Sequence, residues 1–421
     1  MQNDKTIFFI LLVSYLLFYQ PFSDVNERSR LALTYSIVNY HTFNIDNYHT
    51  YTIDKAFYNG HYFCDKAPGI SLIAVPVFAV LKFAGLPSSP SPVVRQVLSF
   101  IFSAIPTIIL VFYLYKFLCQ LNVNETTAKI VILGYSLATL AFPFSLVFYP
   151  YQLVSCLVFI SFYFVYNKKK YFLSGLICGL AIISEYTVLP VIFFIFVYIF
   201  FTNRRQTGIF VISIIPFILL NMVYNKICFD NFFTIGYCYE FWKSFNTEMS
   251  KGLFGISRFS FSNFYQITVS PYRGLFFYSP WLVLTFFGIK KFYKNFRQEF
   301  ILFSAIVIYF FILGASYWSP CGGTIVGPRI LVPMLPFFIV FAGFVTTKLL
   351  LACFVVFSFL IIFSVVLTNI HLNQFELNPI LNNVVPSVLS GDFIRHWSLI
   401  LGYLVCLILS VRKHFVVSKR I

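Results

Sequence analysis

Long apolar runs separated by short polar stretches repeat along almost the whole chain, a pattern that predicts membrane-spanning helices rather than a soluble core. A helix needs about 20 predominantly apolar residues to cross a bilayer. Spans are therefore expected over 6–22, 94–117, 128–148, 152–167, 171–185, 188–202, 208–225, 278–290, 300–316, 330–346, 349–370 and 396–411, about twelve in all. The expected fold class is all-α and polytopic, a single integral membrane domain over residues 1–421 with no internal repeat. Polar stretches long enough to build a site lie at 23–93, 226–277 and 371–395, and a shorter one, rich in Gly and Pro, at 317–329. Within the first, Leu31–Asn39 has the apolar spacing of a helix lying along the membrane surface. Gly69–Gly85 carries Pro76 and Lys82 and runs into a Pro/Ser-rich stretch, so it reads as interfacial or re-entrant.

Composition sharpens this reading. The chain is 59% hydrophobic and 10% charged, whereas soluble domains carry roughly 25% charged residues. The net charge of +16 is spread in short clusters between apolar runs, which excludes a nucleic-acid surface. Treating Gly69–Gly85 as non-spanning puts Lys168-Lys169-Lys170, Arg204-Arg205, Arg412-Lys413 and Lys419-Arg420 all on the cytoplasmic side, with both termini. No small-x-small site follows the first apolar run, so it reads as a retained span. Eleven of the fourteen acidic residues then fall outside, through longer outer loops or through chemistry on that face. Nine cysteines without a CxxC pair give no zinc or redox motif, and Cys228 with Cys238 is the disulfide expected if the exterior is oxidising.

Candidate chemistry concentrates in the first outer loop. Asp24, Asn26, Glu27, Arg28 and Arg30 follow the first span directly. A carboxylate at that depth suits a base acting on an acceptor hydroxyl, and Asp24 also suits a helix cap. Further on, Asn59-Gly60 signals a turn, and Asp65-Lys66-Ala67-Pro68-Gly69 puts Lys66 at the start of a helix near headgroup depth. A lysine at a helix N-terminus attracts anions, of which a lipid phosphate is the nearest available, or it anchors the helix by snorkelling. Arg273 and Arg329 lie beside glycines at outer boundaries, against the positive-inside trend, where a guanidinium suits phosphate. Glu185 ends a span as an ionisable boundary group, free to pair with a neighbouring arginine. His41, His49 and His61 share the first loop with Asp65, but their spacing is not a ligand signature.

An acid-and-Arg cluster after the first span, then an amphipathic stretch, then Asn-Gly, aromatics and acid-Lys-x-Pro, resembles the first loop of GT-C glycosyltransferases. The likeness is to the protein O-mannosyltransferase and aminoarabinose transferase superfamily, glycosyltransferase family 39-like, over about residues 20–90. Counted back from His41-Thr42-Phe43, Asn26 occupies the family's first acid position and Glu27 the second, and Lys66-Ala67-Pro68 replaces its Lys-Pro-Pro. The resemblance implies a sugar transferred from a polyprenyl-phosphate-linked donor to a glycan, lipid or protein acceptor, on the extracytoplasmic face of a prokaryotic plasma membrane. It implies Glu27 or Asp24 as the catalytic acid residue and Lys66 as the phosphate contact, with Asp65 the ligand of a divalent metal ion, if one is used. Arg329, Arg273, Arg28, Arg30 and Glu185 complete the expected binding set, and direct displacement implies inversion at the sugar. A flippase for lipid-linked sugars, needing the same cations, and an envelope scaffold are the competing readings.

Overall fold

The structure, a computed structural model, describes residues 4–372, 377–395, 399–405 and 407. Half of the last expected span, 396–411, and all of the basic terminus beyond it lie outside the described residues.

Helix α1 (Asp4–Leu17) leads into α2 (Val25–Tyr40), and a hairpin of β1 (Ala56–Tyr58) and β2 (His61–Phe63) follows. The register pairs Ala56 with Phe63 and Tyr58 with His61. Asn59 and Gly60 turn the hairpin with φ of 47° and 84°, the backbone a two-residue turn demands. Then come α3 (Gly69–Phe83), α4 (Pro92–Gln120), α5 (Glu125–Leu137), α6 (Pro150–Lys168), α7 (Tyr171–Ser184), α8 (Leu189–Asn203) and α9 (Thr207–Phe229). After the second large loop the chain continues through α10 (Thr285–Asn295), α11 (Arg297–Ser316) and α12 (Lys348–Thr368).

Four described stretches are long and apolar enough to cross a membrane: Pro92–Gln120, Tyr186–Phe229, Arg297–Ser316 and Lys348–Thr368. The chain is thus a multi-pass membrane protein. The expected spans 128–148, 278–290 and 330–346 are instead broken. Helix α5 stops at Leu137 and resumes for one turn over Ala141–Ser145; Pro280 opens a 3₁₀ stretch before α10; and Arg329–Phe344 mixes 3₁₀ and α turns around Pro333 and Pro336. Proline removes the backbone donor that a continuous helix needs. Such backbone survives at membrane depth only inside protein, and residues 138–149 and 331–342 are buried throughout.

Packing refines one further expectation and overturns another. The Leu31–Asn39 helix is covered by protein over most of its length: α2 is buried from Asn26 through Ser36 except at Arg28, packed against α3. All eight described cysteines are free, Cys228 being buried in the last turn of α9 while Cys238 is exposed, so the expected disulfide is absent.

Helices α7 and α9 pack closely because Gly175 and Gly179, one turn apart, leave room for α9. A Cβ at Gly175 would overlap Ser213 and the Phe210 carbonyl, and one at Gly179 would overlap the Phe217 ring. Gly175→Leu is expected to destabilise the bundle by about 1–3 kcal/mol or more, read as an earlier thermal transition in detergent, while Gly208→Leu, with open space around it, leaves it unchanged.

Candidate functional site

Asp24 caps α2. Its Oδ1 accepts from the backbone N–H of Asn26 at 2.9 Å and of Glu27 at 3.1 Å. That bonding leaves Oδ2 buried without a hydrogen bond among the described residues. The carboxylate lines a cavity of about 730 Å³ whose walls include Lys66, Tyr237, Glu240, Trp318, Gly323 and Arg329. The cap and the candidate base are therefore one residue, with one oxygen committed to each role.

Lys66 stands opposite, at the foot of α3. Its ammonium donates to Asp54 Oδ1 at 2.8 Å and to Asp65 Oδ2, with Glu240 Oε1 at 3.9 Å. Glu240 is brought there by the second large loop, which docks on the hairpin through the Phe241 N–H donating to the Lys55 carbonyl at 2.9 Å. Gly236 makes this docking possible, since a Cβ there would sit 2.6 Å from Asp65 Cα. Ligand oxygens of Asp54, Asp65 and Glu240 lie within 4.8 Å of one another. Three buried carboxylates share one ammonium, and the shortage of positive charge shows in their acidities. Burial and the neighbouring Asp65 push Glu240 up to about 11, and the same two causes push Asp54 up to about 6. Asp65 is held below the usual range, the Lys66 ammonium outweighing its burial. This donor set of hard oxygens, with Glu240 Oε2 unbonded, fits a divalent cation of the magnesium or manganese kind. The first-loop histidines take no part: His61 binds Asp46 at 2.7 Å and His49 stacks on Tyr62.

A second, smaller cavity of about 310 Å³ adjoins the first and shares Asn26, Lys66, Tyr237, Tyr317, Gly322 and Arg329 with it. Its remaining walls are mostly apolar, among them Leu189, Leu313 and Ile330, and Leu189 is exposed on the flank of the bundle. Arg30 and Glu185 line it as an ion pair at 3.7 Å. Arg329 belongs to both cavities. Its guanidinium donates to the Tyr149 hydroxyl at 3.2 Å and has no carboxylate within salt-bridge distance among the described residues. Gly322 and Gly323, at φ of 60° and 61°, let the backbone approach it. A Cβ on Gly323 would lie 2.9 Å from Asp24 Oδ2 and 3.0 Å from Arg329 Nη1.

Other expected residues fall elsewhere. Glu27 lines neither cavity; its Oε1 accepts from the Phe148 N–H at 2.8 Å and pairs with Arg95 at 3.4 Å, behind the site. Arg273 borders the larger cavity but is spent on carbonyls, donating to those of Gly323 at 2.6 Å, Thr324 at 3.2 Å and Leu372 at 3.3 Å. It fastens the glycine loop instead of presenting a free fork. Arg28 reaches the larger cavity while donating to Ser23 at 2.9 Å. Asp54, Glu240, Tyr149, Tyr237 and His371 were not singled out by the sequence. His371 bridges Thr324 at 2.9 Å and the Phe22 carbonyl at 3.3 Å, and no local pattern announces it.

A carboxyl raised on folding keeps a proton that the unfolded chain releases near its ordinary pKa of 4.5, so stability falls as pH rises from there towards about 11. Thermal unfolding of the wild type is expected to move to lower temperature between pH 5 and pH 9. In Glu240→Gln the slope is expected to flatten. Manganese at pH 8 should raise the transition of the wild type and leave that of Glu240→Gln unmoved.

By sequence, no known family and no curated protein matches the chain. Among solved structures it is similar to ArnT from Cupriavidus metallidurans, once bound to undecaprenyl phosphate and once in the apo state. Identity is 12% and the TM-score 0.49 in both cases, over 80% and 81% of this chain and 58% of that one. The chain thus spans less than two thirds of the structures it resembles, and a likeness of that degree gives no residue here a role.

Proposed function

We propose that the protein is a membrane glycosyltransferase that moves a sugar from a polyprenyl-phosphate-linked donor to an acceptor hydroxyl on the extracytoplasmic face of the plasma membrane. The observation that carries this reading is the meeting of two unlike cavities at Arg329, a partly buried cation with no carboxylate within salt-bridge distance among the described residues. The apolar cavity suits the first isoprene units, and the polar one suits the sugar and the incoming acceptor. In this arrangement the donor phosphate sits at Arg329 with Lys66 nearby. The free Oδ2 of Asp24 takes the acceptor proton as the acceptor oxygen bonds to the anomeric carbon. The bond from that carbon to the phosphate oxygen breaks on the opposite side, which inverts the centre. Both cations offset the charge gathering on the departing phosphate, and because Lys66 is buried and Arg329 partly so, little of their field is lost to water. A divalent ion held by Asp54, Asp65 and Glu240 would add positive charge beside the phosphate.

Two variants separate binding from chemistry. Native mass spectrometry with undecaprenyl phosphate is expected to show lipid retained by the wild type and by Asp24→Asn, and lost in Arg329→Met. With a donor from a panel of lipid-linked sugars, Asp24→Asn should lower turnover by about 10²–10⁴-fold. Uptake of no polyprenyl phosphate by folded wild type, or full retention by Arg329→Met, would falsify the assignment. Full turnover by Asp24→Asn would remove it as the base.

A further inference from the structure

At the opposite end of the bundle a third cavity, of about 670 Å³, opens where α4 gives way to α5, α10 to α11, and the turn at Phe344 to α12. It is lined by Asn122, Asn124, Thr127, Asn295, Lys291 and Lys348, with an apolar wall from Leu121, Val123, Phe344 and Val345. No acidic side chain lines it; Glu125, next in the chain, pairs with Lys129 at 2.5 Å. Neither lysine has a carboxylate within salt-bridge distance among the described residues. Thr127, 2% exposed, makes no side-chain hydrogen bond there either, although it borders the cavity. Its hydroxyl is therefore left to bond a ligand or water in the cavity.

We infer that this cavity is a binding site for the phosphodiester headgroup of an anionic phospholipid. Its depth decides the source of the phosphate. The apolar stretches Pro92–Gln120 and Lys348–Thr368 reach their ends at its rim, so it lies level with the headgroups of the leaflet opposite the two joined cavities. Lys291 and Lys348 meet the phosphate charge, and the asparagine amides and Thr127 hydroxyl supply neutral donors. Leu121, Val123, Phe344 and Val345 take the glycerol and the first methylenes. Basic pockets between membrane helices are suited to anionic headgroups in this way. The inference is independent of the proposed sugar transfer.

The test uses delipidated full-length protein titrated with phosphatidylglycerol and, in parallel, phosphatidylcholine, with bound lipid counted by native mass spectrometry. The wild type is expected to prefer phosphatidylglycerol. The double variant Lys291→Gln/Lys348→Gln should weaken that binding by about 30-fold while leaving phosphatidylcholine uptake unchanged. Because both lysines are exposed, the variant is expected to keep the wild-type thermal transition. Equal retention of the two lipids by the wild type, or undiminished preference in the variant, overturns the proposal. Complete displacement of phosphatidylglycerol by millimolar inorganic phosphate also overturns it, by making the site one for a soluble anion.

Discussion

The structure of the loop face depends on one buried cation. The Lys66 ammonium holds Asp54 and Asp65 of the first loop and faces Glu240 of the second, so two segments far apart in sequence close over a common point. Removing a single member of such a cluster leaves the others uncompensated out of water, which costs more than a surface pair ever contributes. Everything that forms the larger cavity on that side depends on this closure. The hairpin carries Asp65 towards α3, the Phe241 backbone docks on Lys55, and Tyr237 is laid along the wall both cavities share.

On the other side of the cavity the economy of charge is different. Arg273 satisfies carbonyls from Gly323, Thr324 and Leu372 and so fixes the shape of the glycine loop. Arg329, a few residues further on, donates to a tyrosine hydroxyl and has no carboxylate within salt-bridge distance among the described residues. One arginine is thus consumed in building the wall and the other is held in readiness by it. Asp24 shows the same division within one side chain, its Oδ1 ending a helix and its Oδ2 left over. A partly buried guanidinium and a half-used buried carboxylate facing one cavity are costly for the fold alone, and a phosphate and a hydroxyl are the partners that relieve both.

The parts of the site legible in the sequence were those with local grammar. Asp24 stands where a helix cap belongs, Lys66 precedes Pro68-Gly69 at a helix start, and Arg329 breaks the charge trend beside a glycine; each ends up lining a cavity. Glu27 has the same local setting as Asp24, but Arg95 and the Phe148 N–H draw it to the far side of α2, and neither contact leaves a mark near residue 27. Asp54 and Glu240 matter only through their nearness to each other, which no one-dimensional pattern records. The fold followed similar limits. Apolar length marked the continuous helices well, while the breaks around Pro143 and Pro333 stayed hidden because burial in protein permits the same apolar composition as burial in lipid.

The shared wall of Lys66, Tyr237 and Arg329 also separates two routes of entry. One cavity reaches the flank of the bundle at Leu189, towards the hydrocarbon, and the other is roofed by the loops. A lipid arriving sideways and a polar molecule arriving from above do not contend for a single doorway, so neither must leave before the other enters. Under the proposed reaction such a protein turns over through a ternary complex, with intersecting initial-rate lines, and a spent lipid carrier inhibits competitively against the donor but not against the acceptor.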